Sequence, residues 1–176
     1  LGDNIKKAFR NVDDILEDLG FEKSAANQRA VRILAYNETE INEENINRVK
    51  VVDEQVQQAF KNLTPKTTLE MIRQGINPLE LSLEELNQVA LSIKAENPAA
   101  ENEKFSKFLY KLDQKHAISS EERASYIGIY RLMAQVEKSD GAVIGSLMNQ
   151  GADLSMKNLL TAIRSSKKTN MSYDVD

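Results

Sequence analysis

The chain has 176 residues, a net charge of −4, one histidine and no cysteine, enough length for one sizeable domain or two small ones without covalent staples. The lack of cysteine excludes disulfides, thiolate metal sites and cysteine nucleophiles, and no run approaches the roughly 18 apolar residues of a membrane span. Residues 1–63 hold nine basic and twelve acidic side chains and residues 64–176 fourteen and fifteen, so neither part has the positive field of a non-specific nucleic-acid binder.

Three prolines and seven glycines are few for this length and favour helix. Residues 5–19 place Ile5, Phe9, Val12, Leu16 and Leu19 on one stripe, the mark of an amphipathic helix. This opening segment, with Lys6, Lys7, Arg10, Asp13 and Asp14, is no signal peptide. The start at Leu1 leads us to expect a sequence that begins inside a longer chain or after processing. Gly20 predicts a stop and Ser24 a cap for a helix through Ala30, Val31, Ile33 and Leu34 that Asn37 closes. Asn42, with Glu43 and Glu44 in the next turn, opens a long helix whose stripe runs Ile46, Val49, Val52, Val56, Phe60 and Leu63. Thr64-Pro65 reads as a cap with proline at the first helical position and marks the expected domain boundary.

A short helix through Leu69, Met71 and Ile72 should end at Gly75, with Asn77-Pro78 as a turn. Ser82 with Glu85, and Ser119 with Glu122, have capping-box spacing. They open helices through Leu86, Val89, Leu91 and Ile93, and through Tyr126, Ile127, Tyr130, Met133 and Val136. Between them Asn97-Pro98 leads to Phe105, Phe108, Leu109 and Leu112 on one face. Ser139-Asp140-Gly141 restarts the chain into Val143, Ile144, Leu147 and Met148 up to Gly151, and Ser155 caps a last helix through Leu159, Leu160 and Ile163. One grammar recurs around Asn37–Asn42, Gly75–Ser82, His116–Ser119 and Gly151–Ser155: a helix end at Gly, Asn or His, one aliphatic residue, then a Ser or Asn cap. Any helical bundle needs such turns, and duplicated helical hairpins would also produce them.

Little of this carries chemistry. His116, the single histidine, sits at a predicted helix end, where a cation or a ring is favourable, and without partners it makes no transition-metal site. Asp13-Asp14, Glu17-Asp18, Glu43-Glu44, Glu84-Glu85 and Glu121-Glu122 are paired carboxylates, but three of these pairs fall in first helical turns, where they complement the dipole. The Gly141–Gly145 segment has glycine spacing without a preceding strand or a P-loop lysine, and it reads as close helix packing. Gly128, inside a helix, reads as a tight crossing, since glycine there costs about 1 kcal/mol relative to alanine. The one sustained basic stretch is the last helix, with Lys157, Arg164, Lys167 and Lys168 and no acid between Asp153 and Asp174. Its first turns hold Met156, Leu159 and Leu160, where a recognition helix would place polar base readers.

Leu19-Gly20-Phe21, between two short helices with a third following, is similar to the loop of ubiquitin-associated three-helix domains, although the third helix is longer than theirs. That similarity implies a hydrophobic protein-binding patch on the loop and third helix. A wider resemblance is carried by Asn27 with Ala30-Val31-Arg32-Ile33-Leu34, by Ile41 with Glu44-Asn45-Ile46, and by Ser125-Tyr126-Ile127-Gly128-Ile129-Tyr130-Arg131. Gly141-Ala142-Val143-Ile144-Gly145 and Leu159-Leu160-Thr161-Ala162 continue it. These strings resemble a domain-of-unknown-function family of clostridia and related Firmicutes. The Ile41–Ile46 element is also similar to helical segments of clostridial proteins labelled flagellar hook-length control, which implies an association with flagella and transfers no site residue.

The expectation is therefore an all-α protein of about nine helices joined by short capped turns: a three-helix module at 1–63, a helical bundle at 64–168 and a frayed tail at 169–176. Its expected role is a non-catalytic protein-interaction or scaffold domain, cytoplasmic or exported with flagellar components, without cofactor or metal. Phe21, Tyr36 and Tyr173 are the candidate contact residues, and no catalytic or binding site is assigned. The alternative is a helix-turn-helix nucleic-acid-binding protein using the basic last helix.

Overall fold

The computed structural model describes residues 11–96, 104–139, 141–149 and 155–164. Among them lie nine α-helices: α1 (11–18), α2 (Ala25–Tyr36), α3 (Glu43–Asn62), α4 (Pro65–Arg73), α5 (Leu83–Glu96), α6 (Phe105–Gln114), α7 (Ser120–Lys138), α8 (Ala142–Asn149) and α9 (156–164). A 3₁₀ turn, Pro78–Glu80, joins α4 to α5. The described residues contain no strand, only an isolated antiparallel bridge between Ser82 and Ser155, the residues just before α5 and α9. The all-α expectation holds. No described helix is long and apolar enough to cross a membrane.

The turns show why the grammar recurs. Four helices end in the same Schellman pair of hydrogen bonds, which satisfies carbonyls left over at a helix end. Phe21 and Gly20 donate to the Leu16 and Glu17 carbonyls, Thr39 and Glu38 to those of Leu34 and Ala35, Ile76 and Gly75 to those of Met71 and Ile72, and Ala117 and His116 to those of Leu112 and Asp113. The turning residue is left-handed each time, with φ of +80° at Gly20, +77° at Gly75, +56° at Glu38 and +53° at His116. His116 thus ends α6 through its backbone, and no ring hydrogen bond forms among the described residues. Asn37 sits one residue before the turn that closes α2.

Side-chain caps then open the next helices: Ser24 accepts from the Asn27 N–H, Asn42 from Asn45, Thr64 from Thr67 and Ser155 from Asn158. Ser119 and Glu122 form the full reciprocal box. Ser82 accepts from the Glu85 amide, but its hydroxyl donates to the Glu85 carboxylate at 3.0 Å, so the second bond of the expected box is replaced by a side-chain pair. Asn97-Pro98, Asp140 and Gly151 lie outside the described residues, as does the expected tail.

Two apolar clusters form the core. Leu16, Ala30, Val31, Ile33, Leu34, Ala35, Ile46 and Val49 make the first, with Phe21 and Ile41 packed against it. The second joins Val52, Val56 and Ala59 of α3, and Leu63 just after it, to buried residues of α4, α5, α7, α8 and α9. The apolar face of α3 therefore changes partners between Val49 and Val52. Helix α8 packs on both α2 and α3, and its Met148 touches both clusters. Arg29 of α2 and Asp53 of α3 add a bidentate pair, with N–O distances of 2.8 and 3.3 Å.

Candidate interaction surfaces

Helix α7 presents different faces to three environments, and its residue types follow from them. Ile129, Leu132, Met133 and Val136 are buried in the second cluster. Ala124, Ser125 and Gly128, on the neighbouring face, form one side of a groove of about 540 Å³. Its opposite side consists of Ile72, Gly75, Ile76, Asn77, Pro78 and Leu79, from the end of α4 and the 3₁₀ turn. Thr64 and Pro65 start α4, and the Schellman turn at Gly75 stops it, so the chain folds back and leaves these aliphatic residues facing α7. No titratable side chain lines the groove.

The sequence reading of Gly128 is corrected here. A methyl group at that position would meet no atom within 4 Å among the described residues outside its own helix, so no described element crosses α7 at Gly128, which opens the groove floor instead. The Gly141–Gly145 segment behaves as expected. A methyl at Gly141 would lie 2.6 Å from Ile33 Cδ1, and one at Gly145 would overlap the Asn37 amide. These two glycines let α8 approach the end of α2. Asn149 and Thr39 close the contact, Thr39 Oγ1 donating to Asn149 Oδ1 at 2.9 Å and Asn149 Nδ2 to the Asn37 carbonyl at 3.2 Å.

The third face of α7 carries α6. No residue of α6 is buried, although its apolar side is sharply separated from its polar side. Phe105 lies 5.2 Å, ring centre to ring centre, from both Tyr126 and Tyr130, and Phe108 lies 6.3 Å from Tyr126. These separations suit tilted aromatic pairs. Tyr126 is buried, and its hydroxyl donates to the Phe105 carbonyl at 2.8 Å. Arg123 reaches Asp113 of α6 at 3.2 Å. Arg73 of α4 binds the Glu122 carboxylate at 3.1 Å and the Ala117 carbonyl at 2.6 Å, holding the α6–α7 turn. The Ser119 amide, followed by Arg73, holds the Glu122 carboxyl below its ordinary value.

What remains outward on α6 is basic and aromatic. Lys104, Lys107, Lys111 and Lys115 are all exposed and repeat at three- and four-residue steps, which stacks them along one side of a helix. Tyr110 is 63% exposed and Tyr130 43%. Sequence reasoning passed over this row in favour of the last helix, although the spacing of the four lysines was readable. In α9 the described charges are Lys157 and Arg164 alone, while Met156, Leu159, Ala162 and Ile163 are buried. Lys167 and Lys168 lie outside the described residues.

Of the candidate contact residues, Tyr36 is 66% exposed. Phe21 and Leu19 are both half-buried against the first cluster. Tyr173 lies outside the described residues. The described His, Asp and Glu side chains form no group of three that could hold a metal ion.

A family model matches residues 1–160. The chain belongs to DUF6240, a family of unknown function. No curated protein and no solved structure matches it. The groove and the α6 face of this DUF6240 chain therefore have to be interpreted from their own chemistry.

Proposed function

We propose that the chain is a non-catalytic protein-interaction or scaffold domain of a bacterial protein, and that the groove between α4, the 3₁₀ turn and α7 receives a helix of a partner protein. The observation that carries this reading is Gly128. Glycine inside a 19-residue helix costs about 1 kcal/mol relative to alanine, and none of the described residues approaches it closely enough to require it. With Ala124 one turn earlier it flattens the helix surface, as a second helix packing at about 8–10 Å between axes would need. Aliphatic walls supply the apolar contact of a helix-in-groove complex, and a lining without titratable groups offers no acid–base pair for catalysis. The resemblance of the Ile41–Ile46 element to flagellar hook-length-control segments supports a flagellum-associated role within Firmicutes. Against the nucleic-acid alternative, Met156 and Leu159 are buried, which leaves Lys157 as the one charged side chain in the first turns of α9, where a recognition helix sets its base readers.

Gly128→Leu tests the reading. Leucine favours the helix, and its Cβ meets none of the described atoms within 4 Å, so its side chain projects into the groove. The full-length protein and this variant would be recovered from the native host and their partners identified by mass spectrometry. Proteins, flagellar ones among them, that bind the parent and are lost from the equally well-folded variant would support the groove. An unchanged set of partners would overturn it, and partners removed by nuclease would return the nucleic-acid alternative.

A further inference from the structure

We propose that the lysine row of α6 docks onto the α2–α3 turn of a second copy of this chain, in a head-to-tail contact. Residues 104–115 carry four lysines and a single carboxylate, Asp113, and that carboxylate is turned onto α7 against Arg123. Lys104, Lys107 and Lys115 have no salt-bridge partner among the described residues, and exposed Tyr110 sits in the same stretch. An outward helix face with a basic row beside large aromatic rings has the composition of a contact surface, since tyrosine is enriched at interfaces. Its charge is local, because the chain as a whole is at −4.

The same chain holds the complement. Glu38, Glu40, Glu43 and Glu44 fall within seven residues at the α2–α3 turn, all exposed and none ion-paired among the described residues. Tyr36, exposed, stands two residues before the first of them. Glu43 and Glu44 also complement the α3 dipole, but Glu38 and Glu40 lie outside any helix, where no dipole accounts for them. Four lysines beside a tyrosine on one element thus match four glutamates beside a tyrosine on another. Because the two surfaces differ, each copy would keep one of each unused, and the contact is heterologous and able to extend. Complementary charge of this kind directs encounter and register more than it adds affinity.

The test is sedimentation velocity of the purified chain over a range of concentrations and salt. The mean mass is expected to rise with concentration in about 0.01 M salt, where the Debye length is about 30 Å, and to fall to that of one chain in about 1 M salt, where it is about 3 Å. K104E/K107E and E38K/E40K should each remain monomeric. K104E/K107E places acid at the start of α6 and E38K places base after the end of α2, both favourable to the adjoining dipole, and thermal unfolding of each variant separates lost association from lost folding. Mixed together, the two variants offer complementary surfaces to each other and should associate where neither does alone. A parent chain that stays monomeric in low salt, or assembly unaffected by either reversal, would overturn the proposal. So would variants that fail to pair, or assembly that nuclease abolishes. Gly128→Leu should leave the assembly unchanged, so this contact and the groove can fail separately.

Discussion

Gly128 and Gly145 both lie inside helices, where glycine costs about 0.8–1 kcal/mol relative to alanine. At Gly128 an added methyl meets nothing beyond its own helix, so Gly128→Ala should stabilise by about 1 kcal/mol and raise Tm by about 2–4 °C in a chain of this size. At Gly145 the same methyl overlaps the Asn37 side chain, which donates to the Ile33 carbonyl at 2.9 Å. Gly145→Ala should therefore destabilise by about 1–3 kcal/mol, the range of overpacking. Thermal unfolding of the two variants checks both signs, and a destabilised Gly128→Ala would mean that the groove is filled from within. The sequence shows both glycines equally well. What it does not show is which one has a neighbour, since that depends on where α2 lies. Glu122 offers a second test at this scale. Its folded-state pKa is lowered, first by the Ser119 amide and then by Arg73. The stability it contributes is therefore fully present above the unfolded-state carboxylate value and lost as pH falls through the depressed folded value. Glu122→Gln should lower Tm at neutral pH, where that contribution is present, and change it little at low pH, where the parent carboxyl is protonated too, so the acid side of a plot of Tm against pH flattens.

The helix ends were legible in the sequence because they are local: Ser24, Asn42, Thr64, Ser119 and Ser155 each act on an amide three residues away. The left-handed turns at Glu38 and His116 were less legible, since neither is a glycine and only the apolar residues around them, such as Leu34 and Leu112, dictate the turn. The setting of α6 was not legible at all. Its stripe of Phe105, Phe108, Leu109 and Leu112 has the spacing of a core helix, yet none of its residues is buried. The stripe meets aromatic rings of one neighbour, α7, where a core helix would be enclosed by several. The Tyr126–Phe105 hydrogen bond and the Arg123–Asp113 pair are thus the polar ties of a helix with little apolar anchorage. Tyr126→Phe removes the hydroxyl and keeps the ring. A neutral hydrogen bond contributes about 0.5–1.5 kcal/mol, a large part of the local stability of such an element. Amide hydrogen exchange should speed up by roughly 2- to 13-fold through α6, the equivalent of that energy, while α3 and α5 keep their protection. Uniform acceleration across all helices would show instead that α6 unfolds only with the whole.

At the scale of the whole molecule the question is how α3 divides its 20 residues. Ile46 and Val49 belong to the first apolar cluster, and Val52, Val56, Ala59 and Leu63 to the second. A fragment cut at Thr64 would leave those last four residues without their partners on α5, α7, α8 and α9. The stripe from Ile46 to Leu63 is continuous in sequence, so periodicity gives no sign of where the partners change. Helix α3 is the main mechanical link between the clusters, with α8 as the lesser one through Met148 and the Asn37–Asn149 contact. Urea unfolding followed by tryptophan at two exposed positions, Tyr36→Trp beside the first cluster and Tyr130→Trp on α7, should give coincident midpoints, as two-state behaviour requires. Val51 lies between the two sets of α3 residues and is exposed, so Val51→Pro empties no core. It removes one helical hydrogen bond and crowds the preceding turn, at a cost of about 3 kcal/mol or more. With α3 broken there, the Tyr36→Trp probe should report unfolding at lower urea than the Tyr130→Trp probe, because the first cluster is the smaller and loses the rigid arm that ties it to the second. Midpoints that fall together would instead assign the coupling to α8. Gly145→Ala, which disturbs α8 against α2, would then be the substitution that separates them.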